Sequence, residues 1–289
     1  MFESFKELKD SVVKNRKSLH EIIIMREMEI SKKDHDFVIN RLKKSLETMK
    51  ISLENGLKVD VVLPIGEAME QSQKMQATPF FLSKNIKEAA YWAMSIVEYS
   101  SGMGRIVAAP TAGSSGIFPA VLFKAQEMLN KSEEEVLHAF IVGACVGVIC
   151  GNIATVSGSE GGCQAEVGVS SAMAAAALCY LKSGNINYIE EAVAICLKNL
   201  MGLICDPVAG LVISPCIKRN AIGVLNAFLG AEMALSGVES LIPADEVIWA
   251  MMEVGRRMPV EHKETGLGGI AITPTGKRIK KTLYGDEVK

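Results

Sequence analysis

Apolar side chains recur along this chain three or four residues apart, the spacing of α-helices. In residues 1–50, Leu8, Val12, Leu19 and Ile23 are interleaved with 12 Lys or Arg and 9 Asp or Glu residues. Such a mixture is typical of helices that keep a charged face in water, and it argues against an interaction tail. We therefore predict amphipathic outer helices in residues 1–100.

Beyond residue 100 the segments become more apolar, and clusters of Gly, Pro and Ser separate them. Ser83 is a suitable N-cap for a helix through Tyr99, and Ser132 with Glu135 forms a capping-box pattern for a helix that runs towards Thr155. Further helices are predicted at 117–129, 163–181, 188–203, 215–235 and 244–257. The sequence shows no strand–helix alternation and no repeat of fixed period.

The prediction is an all-α fold, a compact bundle of buried Gly- and Ala-rich helices whose connecting loops carry the site. We expect one domain over residues 1–289. Its outer helices occupy residues 1–100, its core with the site occupies 101–275, and a flexible tail follows at 276–289. A chain of 289 residues can bury a core of this size.

Composition narrows the class of function. Aromatic residues make up only 6% of the chain, against 25 glycines, which suits closely packed helices better than β-sandwiches. The net charge of −2 provides no basic field for nucleic acid. The first ten residues lack a signal-peptide apolar stretch, and seven cysteines is an odd number for a disulfide framework. We expect a reducing compartment, the cytoplasm.

A membrane protein is the main alternative class, because residues 139–159 carry no charge and are long enough to cross a bilayer. Gly143, Gly147 and Gly151 also recur at the spacing of close helix contacts in lipid. However, the segment contains Asn152 and several hydroxyl residues, and no Lys/Arg cluster or aromatic belt flanks it. We favour a helix buried inside a globular bundle, with no membrane partner.

The seven cysteines fall into two groups by their neighbours. Cys163, Cys205 and Cys216 each stand beside Gly, Pro or Ser residues that bend the backbone, whereas four lie inside apolar runs: Cys145, Cys150, Cys179 and Cys196. Three convergent thiolates could hold a metal centre and leave one position free for a substrate. Cys163 and Cys216 are expected to open helices, where the helix dipole lowers the thiol pKa. The spacing alone leaves three unrelated loop cysteines as an equal alternative.

Two polar constellations accompany these cysteines. The first is the loop 110–116, where a helix N-terminus with free N–H groups could bind a carboxylate or phosphate, or could simply be capped: Thr111, Ala112, Gly113, Ser114 and Ser115. The second surrounds the cysteines and is either paired structurally or poised for chemistry: Ser157, Glu160, Gln164, Glu166, Asp206, Arg219 and Asn220. A third polar run consists of His262, Lys263, Glu264 and Thr265, and a surface position is the simpler interpretation of His262.

Five segments together resemble the α chain of the iron–sulfur-dependent, two-subunit bacterial L-serine dehydratases. They are APTAGSSGIFPAVL at 109–122, SGSEGGCQAEVG at 157–168, CDPVAG at 205–210, PCIKRNAI at 215–222 and KETGLGG at 263–269. Their order is that of the family, and they span the chain from about residue 104 to 274. Five long motifs in the order of the family are a specific signal. They favour the interpretation of the three cysteines as metal ligands over that of unrelated loop cysteines.

The resemblance implies conversion of L-serine to pyruvate and ammonia through 2-aminoacrylate, in a mostly helical domain. It implies a [4Fe–4S] cluster held by Cys163, Cys205 and Cys216, and no pyridoxal phosphate. The substrate is expected to contact the 111–115 loop together with Ser157, Gln164 and Asn220. The base that removes the α-proton is left open among Glu160, Lys263, His262 and groups on another chain.

The chain also departs from single-chain relatives, which carry a second, regulatory-type domain and in some cases a terminal cysteine that caps the cluster. Residues 280–289 contain no cysteine, and no such domain is present in the sequence. We therefore expect a separate β subunit, which completes a heterodimer. Two alternatives stay open: an L-cysteine desulfidase on the same scaffold, and a non-catalytic iron–sulfur scaffold or redox sensor.

Overall fold

A computed structural model describes residues 1–58, 71–77 and 81–285, and these residues form 13 α-helices. The predicted segments 1–100 and 276–289 thus lie partly outside the described residues. The helices are α1 Phe5–Asn15, α2 Leu19–Ser31, α3 His35–Gly56, α4 Gln71–Ala77, α5 Lys84–Ser101, α6 Ile117–Leu129, α7 Glu133–Ile153, α8 Gly158–Gly161, α9 Val169–Ser183, α10 Ile186–Asn199, α11 Cys216–Leu235, α12 Ala244–Arg257 and α13 Pro274–Tyr284. Among the described residues, β-structure is limited to an isolated bridge between Cys205 and Lys263. The all-α prediction is confirmed.

Local sequence signals explain most helix ends. Ser132 accepts from the Glu135 N–H while the Glu135 carboxylate accepts from the Ser132 N–H, so the predicted capping box starts α7. Helices α6 and α12 have the predicted bounds. The helix predicted over 163–181 is instead divided, because residues 164–168 form a π-turn before α9 begins.

Helix α9 lies at the centre of the bundle and packs on α7, α10, α11 and α6. Its residues Ala172 to Ala177 are buried, and small side chains allow neighbouring helices to approach closely. At Gly143 of α7, an added Cβ would come within 2.8 Å of the Met173 carbonyl oxygen and 2.5 Å of the Phe118 ring. Helix α7, the one described helix apolar enough to span a membrane, is therefore a helix enclosed by protein.

The N-terminal helices differ in depth. Helix α5 is interior, packed against α11, α3 and α6, with Ala89, Ala93 and Ile96 fully buried. Helix α1 is anchored to α12, because the Asp245 carboxylate accepts from the Phe5 N–H at 2.8 Å.

The C-terminal segment contains helix α13 within the region where the sequence predicted a flexible tail. Thr273 caps α13 and Pro274 occupies its first turn, which explains why the helix begins there. The Tyr284 hydroxyl donates to the Ala209 carbonyl at 3.2 Å and so connects α13 to the loop that follows Cys205.

Candidate metal centre

Cys163 lies in the short connection between α8 and the π-turn, where glycine sets the backbone path. Gly162 has φ +76°, and a Cβ at this position would lie 2.9 Å from the Leu203 carbonyl oxygen. The Gln164 side chain then fixes the turn, because it donates to the carbonyls of Gly161 and Met251 and accepts from the Gly202 N–H. Cys163 is thereby held facing inwards, 3% exposed.

Cys205 is held by a backbone pairing with a segment distant in sequence. Its N–H donates to the His262 carbonyl and its carbonyl accepts from the Glu264 N–H, both at 2.8 Å. Residues 262–264 of the predicted polar run therefore lie directly beside a candidate ligand. No local sequence pattern indicates this pairing.

Cys216 is the first residue of α11, one turn before Asn220. The Asn220 amide donates to the carbonyls of Cys216 and Gly113 at 2.9 and 2.8 Å, and its oxygen accepts from the Gly116 N–H at 3.1 Å. Asn220 is fully buried, so these contacts fix the start of α11 against the 110–116 loop. Its predicted contact with a substrate stays a prediction.

The ligand atoms of Cys163, Cys205 and Glu166 all lie within 4.8 Å of one another, and all three residues are buried. Glu166 Oε2 is 3.8 Å from Cys163 Sγ and 3.7 Å from Cys205 Sγ. A Cβ at Gly158 would overlap Glu166 Oε2 and lie 3.2 Å from Cys205 Sγ. Only glycine leaves room for this group of donors.

Glu166 is the member of this group that the sequence did not assign to the site. Its other oxygen, Oε1, accepts from the Thr111 hydroxyl at 2.5 Å, which connects the cysteines to the 110–116 loop. Burial, the largest effect, raises the pKa of Glu166, while the hydrogen bond from Thr111 acts in the opposite direction. The available signal was its position three residues after Cys163, which brings both side chains to one face of a helical turn.

The thiols of Cys163, Cys205 and Cys216 differ in the direction of their pKa shifts. A hydrogen bond from Cys205, the largest effect, lowers the pKa of Cys163, and Arg219 acts in the same direction. The same hydrogen bond, followed by burial, raises the pKa of Cys205. Burial first, then the negative charges of Cys163 and Glu166, raises the pKa of Cys216 to about 12. The expectation of an acidic Cys216 at a helix N-terminus is therefore wrong, because burial outweighs the dipole.

The remaining cysteines occupy the helix-packed core. Burial raises the pKa of Cys145, Cys150 and Cys179 to about 12 and also raises that of Cys196. The Cys196 thiol donates to the Asn226 carbonyl at 3.4 Å, a neutral contact between α10 and α11. Cys163 is thus the one thiol of the seven whose pKa is lowered. Cys205 and Cys216 share the raised pKa of the core cysteines, so the pKa alone does not separate the predicted site group from the core group.

These donors fit an iron–sulfur group. Thiolates are the ligands that such groups use, and a bound cationic centre favours the deprotonated form of every cysteine in contact with it. Cys216 is not part of the 4.8 Å group, but Asn220 connects its carbonyl to the 110–116 loop, and the charges of Cys163 and Glu166 act on its thiol. Because Gly158 has no side chain, it leaves space beside the Cys205 sulfur.

The 110–116 loop presents backbone donors next to this centre. Within the described chain, the N–H groups of Thr111, Ala112, Gly113 and Ser114 donate to no protein acceptor. Ser114 and Ser115 are buried and donate to the carbonyls of Ala109 and Ala112, whereas Ala112 is exposed. Free N–H groups before α6 are suited to an anion such as a carboxylate.

The other predicted residues lie at different depths. Ser157 contacts the Ser159 hydroxyl at 2.8 Å, and the exposed Glu160 accepts from Thr155 at 2.6 Å. His262 is half-buried, and its Nδ1 has no hydrogen-bond partner among the described residues. Lys263 is half-buried beside Cys205.

Comparison with known proteins points to one family. The serine dehydratase alpha chain family matches residues 14–271. The "Probable L-serine dehydratase, alpha chain" of Bacillus subtilis (strain 168) is 39% identical over 288 residues, 99% of this chain and 96% of that protein. The "L-serine dehydratase, alpha chain" of Peptoniphilus asaccharolyticus is 49% identical over 196 residues, 68% of this chain and 67% of that protein.

A longer relative matches over a smaller share of its length. "L-serine dehydratase 1" of Escherichia coli (strain K12) is 34% identical over 236 residues, which are 78% of this chain and 52% of that protein. The family match contains all five motifs, including those that carry Cys163, Cys205 and Cys216. The chain belongs to the serine dehydratase alpha chain family.

Proposed function

We propose that this chain is the α subunit of an L-serine ammonia-lyase, which converts L-serine to pyruvate and ammonia in the cytoplasm. The observation that supports the proposal best is the Thr111–Glu166 hydrogen bond, which joins the anion-binding loop to the group of buried cysteines. A dehydratase must bind the substrate carboxylate close to the group that activates the leaving hydroxyl, because these two parts of serine are only a few bonds apart.

Cys163, Cys205 and Cys216 are proposed to hold a [4Fe–4S] cluster, with three protein thiolates for four irons. Such a group, when bound, supplies a Lewis acid that makes hydroxide a better leaving group. The proposed reaction uses no pyridoxal phosphate. All seven cysteines are free thiols.

The loop residues are proposed to orient the substrate. The N–H groups of residues 111–114 bind its carboxylate and thereby fix the direction of the Cα–H bond relative to a base. Loss of the α-proton and the β-hydroxyl gives 2-aminoacrylate, whose imine form hydrolyses to pyruvate and ammonia. Ser157, Gln164 and Asn220 are proposed to border the substrate. The backbone contacts of Gln164 and Asn220 support such a role for these two residues.

Among the candidate bases, His262 has the most suitable position. Its backbone pairs with Cys205 and its Nδ1 is buried without a partner among the residues that the structure describes, whereas Glu160 is exposed and bonded to Thr155. Lys263 lies next to it and Glu160 stays a weaker candidate. A separate β subunit is proposed to cover the site, in agreement with the name "alpha chain" of two relatives, and a group on that subunit is the other candidate base.

The test is turnover by the complex of this chain with its β subunit, purified anaerobically. L-Serine, L-cysteine and L-threonine are compared as substrates, and pyruvate or 2-oxobutyrate is measured together with iron and sulfide content. We expect L-serine to be the preferred substrate of a protein that contains iron and sulfide. Preference for L-cysteine would indicate the desulfidase, and a cluster without any turnover would indicate a scaffold or sensor.

A further inference from the structure

A cluster held only by three cysteines does not account for the position of the Glu166 carboxylate. It is 7% exposed, one oxygen is held by the Thr111 hydroxyl, and the other faces the sulfurs of Cys163 and Cys205. Arg219 donates to Asp206 and to the Ile204 carbonyl, and its charge acts on the Cys163 thiol. Glu166 is therefore a buried carboxylate that points at the candidate metal ligands.

The contacts of Oε2 depend on the protons of the thiols. Cysteines that bind a metal are thiolates, which donate no hydrogen bond. With Cys163 and Cys205 in that form, Oε2 would face two negative sulfurs, while Oε1 would keep its bond from Thr111. A buried carboxylate oxygen without a donor or a cation is costly. An iron ion beside these sulfurs supplies the missing positive charge.

The backbone around the carboxylate leaves it space on both sides. A Cβ at Gly113 would lie 3.2 Å from Oε1, and a Cβ at Gly158 would overlap Oε2. The carboxylate is thus held in one place by Thr111 and bordered by two glycines. The other four cysteines lie in α7, α9 and α10, so the described chain brings no fourth thiol to the site.

We propose that Glu166 Oε2 is the fourth protein donor of this centre and binds the iron that has no cysteine ligand until substrate enters. Iron accepts carboxylate oxygen as a ligand. Entry of the serine hydroxyl then exchanges one oxygen donor for another, with no change of oxidation state. The released carboxylate remains bonded to Thr111. This inference rests on the proposed function, because it requires the cluster.

The direct test uses the anaerobically prepared complex with its β subunit, with glutamate labelled with ¹³C at the side-chain carboxyl. The cluster is reduced to its paramagnetic state, and electron–nuclear double resonance measures ¹³C coupling. We expect a strong ¹³C coupling that disappears when L-serine is added. The same labelling of a Glu166→Gln complex should show no such coupling.

A second readout is the stability of the fourth iron. Glu166→Gln keeps the size of the side chain, and we expect loss of that iron on mild oxidation, seen as a [3Fe–4S] signal, to be about tenfold faster than in the wild type. The matched control is Glu261→Gln, the same change at an exposed carboxylate on the segment next to Cys205. It should lose iron at the wild-type rate.

The outcomes separate the two proposals. A wild-type complex that contains the cluster and turns over L-serine, but shows no ¹³C coupling, would overturn the role of Glu166 alone; a neutral Glu166 that donates to a sulfur would give this result. A complex with no cluster would overturn the proposed function as well. The labelled wild type needs no substitution, so the measurement is decisive even where Glu166→Gln fails to load iron.

Discussion

Arg219 donates to the Asp206 carboxylate at 2.9 Å and thereby joins the helix that begins at Cys216 to the loop that follows Cys205. Arg219 also donates to the Ile204 carbonyl at 2.8 Å, and the second Asp206 oxygen accepts from the Ile270 N–H at 2.9 Å. Both side chains are largely buried, at 14% and 3% exposure. The pair therefore fixes the relative position of two candidate ligands through three segments of the chain.

Replacement of Asp206 should damage the centre and the fold together. Asp206→Asn leaves Arg219 without its charged partner, and loss of one member of a buried pair costs about 3–5 kcal/mol. We expect a lower free energy of unfolding, measured with urea, and a lower iron content. The control is Glu253→Gln, which removes the half-buried partner of the exposed Arg256 and Arg257 and should cost less than about 1 kcal/mol. Similar losses in both variants would mean that the Asp206–Arg219 pair has no special role.

Cysteines of the two groups should respond differently to replacement by serine. Cys205→Ser removes a thiolate donor, so we expect loss of the cluster and of L-serine turnover. Cys179→Ser puts a hydroxyl near the Ala231 carbonyl that the thiol already faces, and should lower stability by about 1–3 kcal/mol while iron binding persists. Iron per chain, measured after anaerobic reconstitution, decides between them. Equal iron loss in the two variants would contradict the separation of the cysteines.

The sequence predicted those parts of the structure that depend on local chemistry. The Ser132–Glu135 capping box and the bounds of α6 follow from residues within a few positions of each other. The motifs also predicted that Cys163, Cys205 and Cys216 converge. The structure brings the sulfurs of Cys163 and Cys205 within 4.8 Å of each other, while Cys216 stays outside that group. The position of Glu166 was not predictable, because it depends on the π-turn at 164–168. The pairing of Cys205 with His262 joins segments more than 50 residues apart, so no periodicity signals it.

A pair of stacked histidines, one on α2 and one on α7, should make stability depend on pH. The rings of His20 and His138 are 3.6 Å apart, and His20 Nδ1 is 2.6 Å from the Tyr180 hydroxyl. Burial first, and then the charge of His138, lowers the pKa of His20 below its usual 6.5, against the opposing charges of Glu21 and Glu134. The unfolded chain therefore binds this proton more readily than the folded chain.

The sign of the effect follows from the lowered pKa. The contribution of His20 to stability is fully present above pH 6.5 and is lost as the pH falls through the folded-state pKa. We expect His20→Gln to show a smaller drop in thermal unfolding midpoint than the wild type between about pH 8 and about pH 5. Circular dichroism measures both curves. His35→Gln, at an exposed histidine, is the control and should follow the wild type. Parallel curves for His20→Gln and wild type would refute the prediction.

Gly158 should tolerate no side chain, because it borders the donors directly. A Cβ there would overlap Glu166 Oε2, lie 2.9 Å from Glu166 Cδ and approach Cys205 Sγ to 3.2 Å. Backbone strain is not the reason, since Gly158 is not among the residues with positive φ. Overpacking of this kind costs about 1–3 kcal/mol. We expect Gly158→Ala to lower both iron content and the free energy of unfolding.

Gly151→Ala is the matched control for this effect. Gly151 is exposed in the last turn of α7, and its added Cβ would make one ordinary contact, 3.8 Å from Val156 Cγ1. Alanine is favoured over glycine within a helix by about 0.5–1 kcal/mol, so this variant should be as stable as the wild type or slightly more stable. Iron analysis and urea unfolding of both variants test the crowding at the centre. Wild-type iron content in Gly158→Ala would show that Glu166 and Cys205 can move away from the added methyl group, so that the arrangement of donors does not depend on this glycine.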